Sequence, residues 1–465
     1  MISRISLCLV AFSLTAAAAP SSKINYEEHI RPILKARCFK CHSDDEQKAD
    51  LNLQTYAATI KGGSGGESLL PGKPNSSLLF QAITHSEGVE KMPPKSDKMP
   101  EAEIELFKKW ILAGLPENSG SSTKVSSVVE FKAMATSRPA TPPMPGDLPK
   151  IAIPLTARPA PVTALAASPW APLLAVAGAD CIQLIHSENK QSLGFLPFPE
   201  GIPFVLRFSR DGAVLLAAGG NPVQSGKVAL FDVKTGKRLA TYGDETDVVL
   251  AADFSSDGKF VALGGPGKIV KVFHAKDGKL AYNIAKHTDW ITALEFSPDG
   301  SKLATGDRAG GIHVWDSATG GIAFSLSEHK DSITALTWRP DGALLASASE
   351  DGGMIQWNMK DGWPAQTLNP HTVVRKAKQY GKMPNGVLCA QFTTTGQLLS
   401  TGRDRAVRIW ATQSEKPAHS LSDLAAQPTK VTTTSDGKFV VIGDAQGAVK
   451  LWSTADPKGA VTVLQ

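Results

Sequence analysis

A small all-α domain followed by a larger all-β domain of repeated four-stranded sheets is the fold class this sequence predicts, and three observations predict it. Apolar residues at helical spacing recur within residues 21–116. A stretch rich in Ser, Thr and Pro, residues 117–150, has too few large apolar side chains to bury a core and reads as a linker. From residue 151 to 465, short strand patterns broken by Asp-Gly turns repeat about every 42 residues. Over all 465 residues, 42% are hydrophobic and 20% charged, which excludes disorder of the whole chain. The 49 basic and 44 acidic residues leave a net charge of only +5, so nothing points to a nucleic-acid partner.

Residues 1–20 read as a secretory signal. Arg4 supplies the positive end, residues 5–14 the apolar core, and Ala16 to Ala19 a small-residue cleavage site before Pro20 or Ser21. The apolar run falls short of the ~20 residues a spanning helix needs, and no later stretch is long and apolar enough. The expectation is an exported, periplasmic chain with no membrane span once the signal is removed. Of the 5 cysteines, Cys8 leaves with the leader, and Cys181 and Cys389 stand alone in strand patterns as buried free thiols. Cys38 and Cys41 form a C-x-x-C pair.

Within the first domain, Asn25 and Glu28 make an N-cap and its partner, and Ile30, Ile33 and Leu34 give a helix face that Pro32 kinks or restarts. That helix leads into Cys38-Phe39-Lys40-Cys41-His42. Two thiols at this spacing add to the two vinyl groups of one haem, and the adjacent His42 then ligates the iron. A zinc site would need a second ligand pair, and a thioredoxin-type dithiol would need a βαβ unit; neither pattern is present. Short helical pieces follow near residues 51–60 and 76–84. Residues 100–114 make an amphipathic helix with Ile104, Phe107, Trp110 and Ile111 on its inner face and Gly114 past its end.

A second axial ligand must come from the same domain if the iron is low-spin. Met92, stiffened by Pro93 and Pro94, is the choice, because Met/His ligation raises the reduction potential. Met99, also followed by a proline, is the runner-up. His85 or His29 would give bis-His ligation, but His29 reads as an exposed helix position and His85 as a surface loop. Gly62 to Gly66 lack the G-K-[ST] of a phosphate loop and read as a turn. Lys91, Lys95 and Lys98 surround the Met92 loop, where they would steer an acidic redox partner or simply be solvated.

With Ile33-Leu34 before the haem motif, Leu51-x-Leu53, Gly62-Gly63-x-Gly65, Pro71-Gly72, Ser77-x-Leu79, Met92-Pro93-Pro94 and Trp110-Ile111-x-x-Gly114, residues 24–115 resemble the cytochrome c domain of planctomycetes and related bacteria. The resemblance implies one covalent haem c, held through Cys38 and Cys41, with His42 and Met92 as axial ligands.

In the second domain, turn glycines fall at Gly212, Gly258, Gly300, Gly342, Gly396 and Gly437, and Ser168-Pro169-Trp170 marks a degenerate first copy. Seven copies of one sheet that cannot bury both faces alone close into a ring. An insertion around residues 371–386 explains the long fifth interval. Trp315-Asp316 and the equivalent Phe231-Asp232, Trp357-Asn358, Trp410-Ala411 and Trp452-Ser453 resemble WD-repeat propellers. The resemblance implies that His287, His329 and His371 bond within their blades, His329 with partners such as Ser347, Asp351 and Trp357. Either residues 460–464 or residues 151–155 supply the last outer strand.

No catalytic motif appears in the repeats. The chain therefore reads as an exported c-type cytochrome that carries electrons through one haem while its propeller docks a protein redox partner. It reads as an electron carrier more than an enzyme. One alternative is a periplasmic haem-dependent oxidoreductase with a catalytic site on the propeller. Periplasmic nitrite reductases join the same two kinds of domain, but with eight blades and a second haem. Another is a haem sensor or peroxidase, which needs an open iron.

Overall fold

The computed structural model describes residues 24–118 apart from 65, 67, 73, 95 and 96, residues 138–148 apart from 147, residues 160–371, and residues 385–464 apart from 413. The predicted signal sequence, residues 151–155, Lys95 and most of the 117–150 stretch and of the predicted insertion lie outside the described residues. The chain forms two compact units, residues 1–126 and 127–465.

The first unit is small and helical. Asn25 caps its start by accepting the Glu28 N–H at 2.9 Å, while its side-chain amide donates to the Glu28 carboxylate at 3.0 Å. One wide π-type turn, Tyr26–Ile30, then gives way to α1, Arg31–Arg37. The change falls at Pro32, which lacks an N–H and is tolerated only in a first turn. Two short helices follow, α2 at Tyr56–Lys61 and α3 at Leu78–Thr84, and then α4 at Glu101–Leu112. Gly114, at φ 84°, ends α4 in a conformation that side chains resist. The core joins Tyr26, Ile30 and Leu34 to Phe107, Trp110 and Ile111. Backbone pairing of Tyr26 N–H with Pro116 O, 2.8 Å, ties the two ends of the unit together.

The second unit is a seven-bladed β-propeller. Its blades are four-stranded antiparallel meanders, at residues 165–197, 202–245, 251–284, 291–326, 333–368, 387–421 and 428–463. Each blade comes from one continuous segment. The outer strand of blade 7 is Thr462–Val463, paired with Lys450 and Leu451, so the C-terminal segment supplies it. Residues 138–148, from the end of the Ser/Thr/Pro-rich stretch, add Met144 and Leu148 to the core that blades 1 and 2 share, and Gly146 N–H bonds Lys234 O at 2.9 Å.

The predicted turns are built as their residues demand. Ser297 donates to Asp299, whose carboxylate also accepts Ser301 N–H at 3.0 Å, and Gly300 takes φ 75°. In blade 6, Thr395 stands in for the aspartate, 2.9 Å from Thr393. The three histidines are structural. His329 bridges Asp351 and Ser347, each at 2.8 Å, and Trp357 Nε1 donates to the same serine at 2.8 Å. His287 repeats this with Asp307, Thr305 and Trp315, and His371 with Asp404, Ser400 and Trp410.

Burial lowers the pKa of His287 and His371 even though each faces an aspartate. Their folded values thus lie below the ~6.5 of the unfolded chain, which takes up protons first as the pH falls. The propeller is expected to hold its thermal midpoint at pH 8 and to lose it progressively below pH ~6.5. A midpoint that stayed constant down to pH ~5 would contradict this linkage.

A recurrent β-bulge joins the blades. In five inner strands the register slips at one equivalent position, such as Ile291/Ala293, Ile333/Ala335 and Pro428/Lys430. The extra residue is re-aimed sideways. Where it is threonine it donates to the next blade: Thr292 to Ile333 O at 2.6 Å, and Thr334 to Val387 O at 2.8 Å. Thr429 donates to Val162 O at 2.8 Å and closes the ring from blade 7 to the segment entering blade 1. At the same seam a Cβ on Gly443 would lie 2.5 Å from Val162 Cγ1, so only glycine fits without a shift. Thr429→Val removes the closing bond with little change of shape. It is expected to lower stability by about 1 kcal/mol, seen as a lower urea midpoint at unchanged slope.

Candidate functional site

The end of α1 and the turn beyond it assemble the C-x-x-C-H motif. Cys38 N–H closes on Leu34 O at 2.7 Å, and Cys41 and His42 N–H groups both return to Cys38 O, at 3.1 and 3.0 Å. Leu53 N–H to His42 O, 3.0 Å, fixes the other side of the turn. Cys38 and Cys41 are half-buried free thiols. Cys38 lies against the helical core, and burial pushes its thiol up to about 11.

His42 is buried, with Nδ1 3.2 Å from Leu51 O. A ring nitrogen facing a carbonyl oxygen carries the hydrogen, which leaves the lone pair on Nε2. This is how a protein orients a metal-binding imidazole from behind.

The candidates for a second ligand sit in different surroundings. Met92 is half-buried, and its N–H is held by Ala82 O at 3.1 Å, beyond the end of α3. Met99 is buried in the helical core with Tyr26, Ile30 and Phe107. His29 is half-buried, and its Nδ1 accepts Asn25 N–H at 3.3 Å.

His85 differs from its expected place in a surface loop. It caps α3 in the left-handed region at φ 58°, with its N–H also on Ala82 O at 3.3 Å, and is half-buried. Its Nε2 is fully buried without a hydrogen-bond partner among the described residues. A polar atom left so costs about 1–3 kcal/mol unless something else satisfies it. Ser68 Oγ, in the same helical unit, is orphaned likewise. Sequence offered His85 as an alternative ligand but missed its burial, which comes from tertiary packing and leaves no local mark on a histidine after a short helix.

A helical unit with two free thiols, an imidazole oriented through Nδ1, and buried polar atoms awaiting a partner fits a covalent haem. Around it, Lys91 is exposed and Lys98 pairs loosely with Glu101 at 3.7 Å. Gly63 faces Gly66 in a tight turn where a Cβ on Gly63 would lie 2.4 Å from Ala49 O. In the propeller, Cys181 is buried and Cys389 half-buried, both unpaired in disulfides. No helix among the described residues is long and apolar enough to cross a membrane.

Comparison with known families agrees with both domains. Residues 38–96 match the family model of planctomycete cytochrome c, a stretch that begins at Cys38 and takes in Met92. Residues 278–316, 320–358 and 376–411 match the WD domain, G-beta repeat. No match emerges among curated proteins. The resemblance of this chain to a planctomycete-type cytochrome c domain fused to a WD-repeat propeller is thus shown.

Proposed function

We propose that this chain is an exported c-type cytochrome with a single covalent haem, whose propeller is the scaffold that docks a protein redox partner. The observation that carries the reading is the buried His42, held through Nδ1 by Leu51 O directly after two free thiols. Cys38 and Cys41 would form the thioethers, His42 would present Nε2 to the iron, and Met92 would present its sulfur. The haem, when bound, supplies a reversible one-electron couple. The chain's own contribution is to orient His42, back the motif with an apolar core that includes Leu34, Phe107 and Trp110, and set the potential through the second ligand.

Visible spectra of the exported, haem-loaded chain test this. An iron–thioether band in the oxidised protein and no carbon monoxide binding in the reduced one are expected. An open, high-spin iron would overturn electron transfer in favour of sensing or peroxidase chemistry.

The orphaned Nε2 of His85 favours a second reading, in which that imidazole ligates the iron. Met92→Ala and His85→Ala separate the two. On the Met92 reading only the first variant loses the thioether band; on the His85 reading that band is absent from the parent protein.

A further inference from the structure

The seven inner strands surround an axial cavity of about 410 Å³. Two residues before the turn that ends each inner strand, blades 2, 3 and 4 place Arg207, Asp253 and Glu295 at one level, blades 5, 6 and 7 Thr337, Gln391 and Thr432, and blade 1 Ala166. The repeats resemble one another elsewhere, so three charges in a row here are a property of this ring. Part of the cluster satisfies itself. Arg207 donates to Glu295 at 3.0 Å, which links blade 2 to blade 4, and Asp253 accepts Phe296 N–H at 2.9 Å. Thr337 does the same for Phe392 N–H at 3.1 Å.

That structural role leaves Arg210 and Lys430 unexplained. Both line the cavity, yet neither side chain has a hydrogen bond or ion pair among the described residues. Asp253, Glu295 and Asp299 act on Arg210 only through their field, while its backbone is held by Trp170 Nε1 on Arg210 O at 2.6 Å. Arg207 uses one of its five donors. The two carboxylates near the lining are engaged, so what the cavity has to spare is cationic N–H donors, with hydroxyls of Thr432 and Ser435 beside them.

We propose that the axial cavity of the propeller binds a small oxyanion, a carboxylate or phosphate, between the guanidinium groups of Arg207 and Arg210 and the ammonium of Lys430. Two planar forks and a point charge suit such a ligand, because guanidinium matches two oxygens at once. Burial raises Glu295 to about 7, which trims the opposing negative charge at neutral pH. The inference concerns the propeller alone and does not depend on the haem.

Calorimetric titration of the full chain tests it, with sodium phosphate and sodium succinate as ligands and spermidine as a cationic control at matched ionic strength. Saturable one-to-one binding of at least one oxyanion is expected, weakened about tenfold or more by Arg210→Gln through loss of charged hydrogen bonds. Lys430→Gln should weaken it less, and Lys438→Gln, whose exposed ammonium already pairs with Asp436, not at all. Should Arg210→Gln fail to fold, Arg210→Lys keeps the charge but not the fork and should still bind more weakly. No saturable binding of either anion, equal binding by the Arg210 variants, or preferential binding of spermidine would each overturn the proposal.

Discussion

The double variant Cys38→Ala, Cys41→Ala, exported from a host that matures c-type cytochromes, is expected to carry no haem through denaturing electrophoresis, whereas the parent chain carries one. The expectation follows from chemistry. A thioether is a covalent bond that denaturant leaves intact, while an iron–nitrogen or iron–sulfur bond to a side chain does not outlast unfolding. Each single variant should keep one thioether and so a part of the stain. His42→Ala leaves both thiols in place but removes the imidazole that Leu51 O orients, so haem should remain attached while its iron binds carbon monoxide. If the double variant kept its stain, attachment would lie elsewhere. If the parent chain took no haem in such a host, the pair would be a dithiol and the proposed function would fall.

Much of this architecture was legible because the residues that carry it are chemically constrained. Turn glycines at Gly300 or Gly342 announce themselves, since glycine adopts the positive φ of 75° and 72° there at least cost. Trp315, Trp357 and Trp410 mark their blades because each indole must find the serine or threonine that its histidine also holds. Helix α4 could be read from Ile104, Phe107, Trp110 and Ile111 alone. The choice between Met92 and Met99 could not be read so directly, because both precede proline; only packing shows that Met99 is a core residue. The π-type turn before Arg31 left no trace in the pattern of apolar residues.

The least legible feature is the axial charge cluster. Arg207, Asp253 and Glu295 lie 46 and 42 residues apart in sequence, at positions where the other blades carry alanine, threonine or glutamine. Nothing local distinguishes them from solvated strand residues. They become a site only when ring closure, through bonds such as Thr429 to Val162 O, brings blades 2, 3 and 4 around one axis. A reading that aligned the repeats and asked which one position varies in charge would have found it.

Trp110→Ala is expected to unfold the helical unit near physiological temperature while leaving the propeller intact. Trp110 is fully buried, with its ring 5.9 Å from Tyr26 and 6.2 Å from Phe107, and its Nε1 donates to Pro116 O at 3.0 Å. That carbonyl also accepts Tyr26 N–H, so one indole braces the junction where the two ends of the unit meet. Truncating a buried tryptophan costs about 3–5 kcal/mol. Small domains have only about 5–15 kcal/mol in total, so most of this unit's stability would go. Calorimetry of the full chain checks it, since the two compact units should melt separately. The transition of the helical unit should shift down or vanish while that of the propeller stays in place. Trp110→Phe, which keeps a ring but loses the bond to Pro116 O, should fall between. Equal loss in both transitions would mean that the units do not melt independently, and no loss in either would mean that Trp110 is not the brace its geometry makes it.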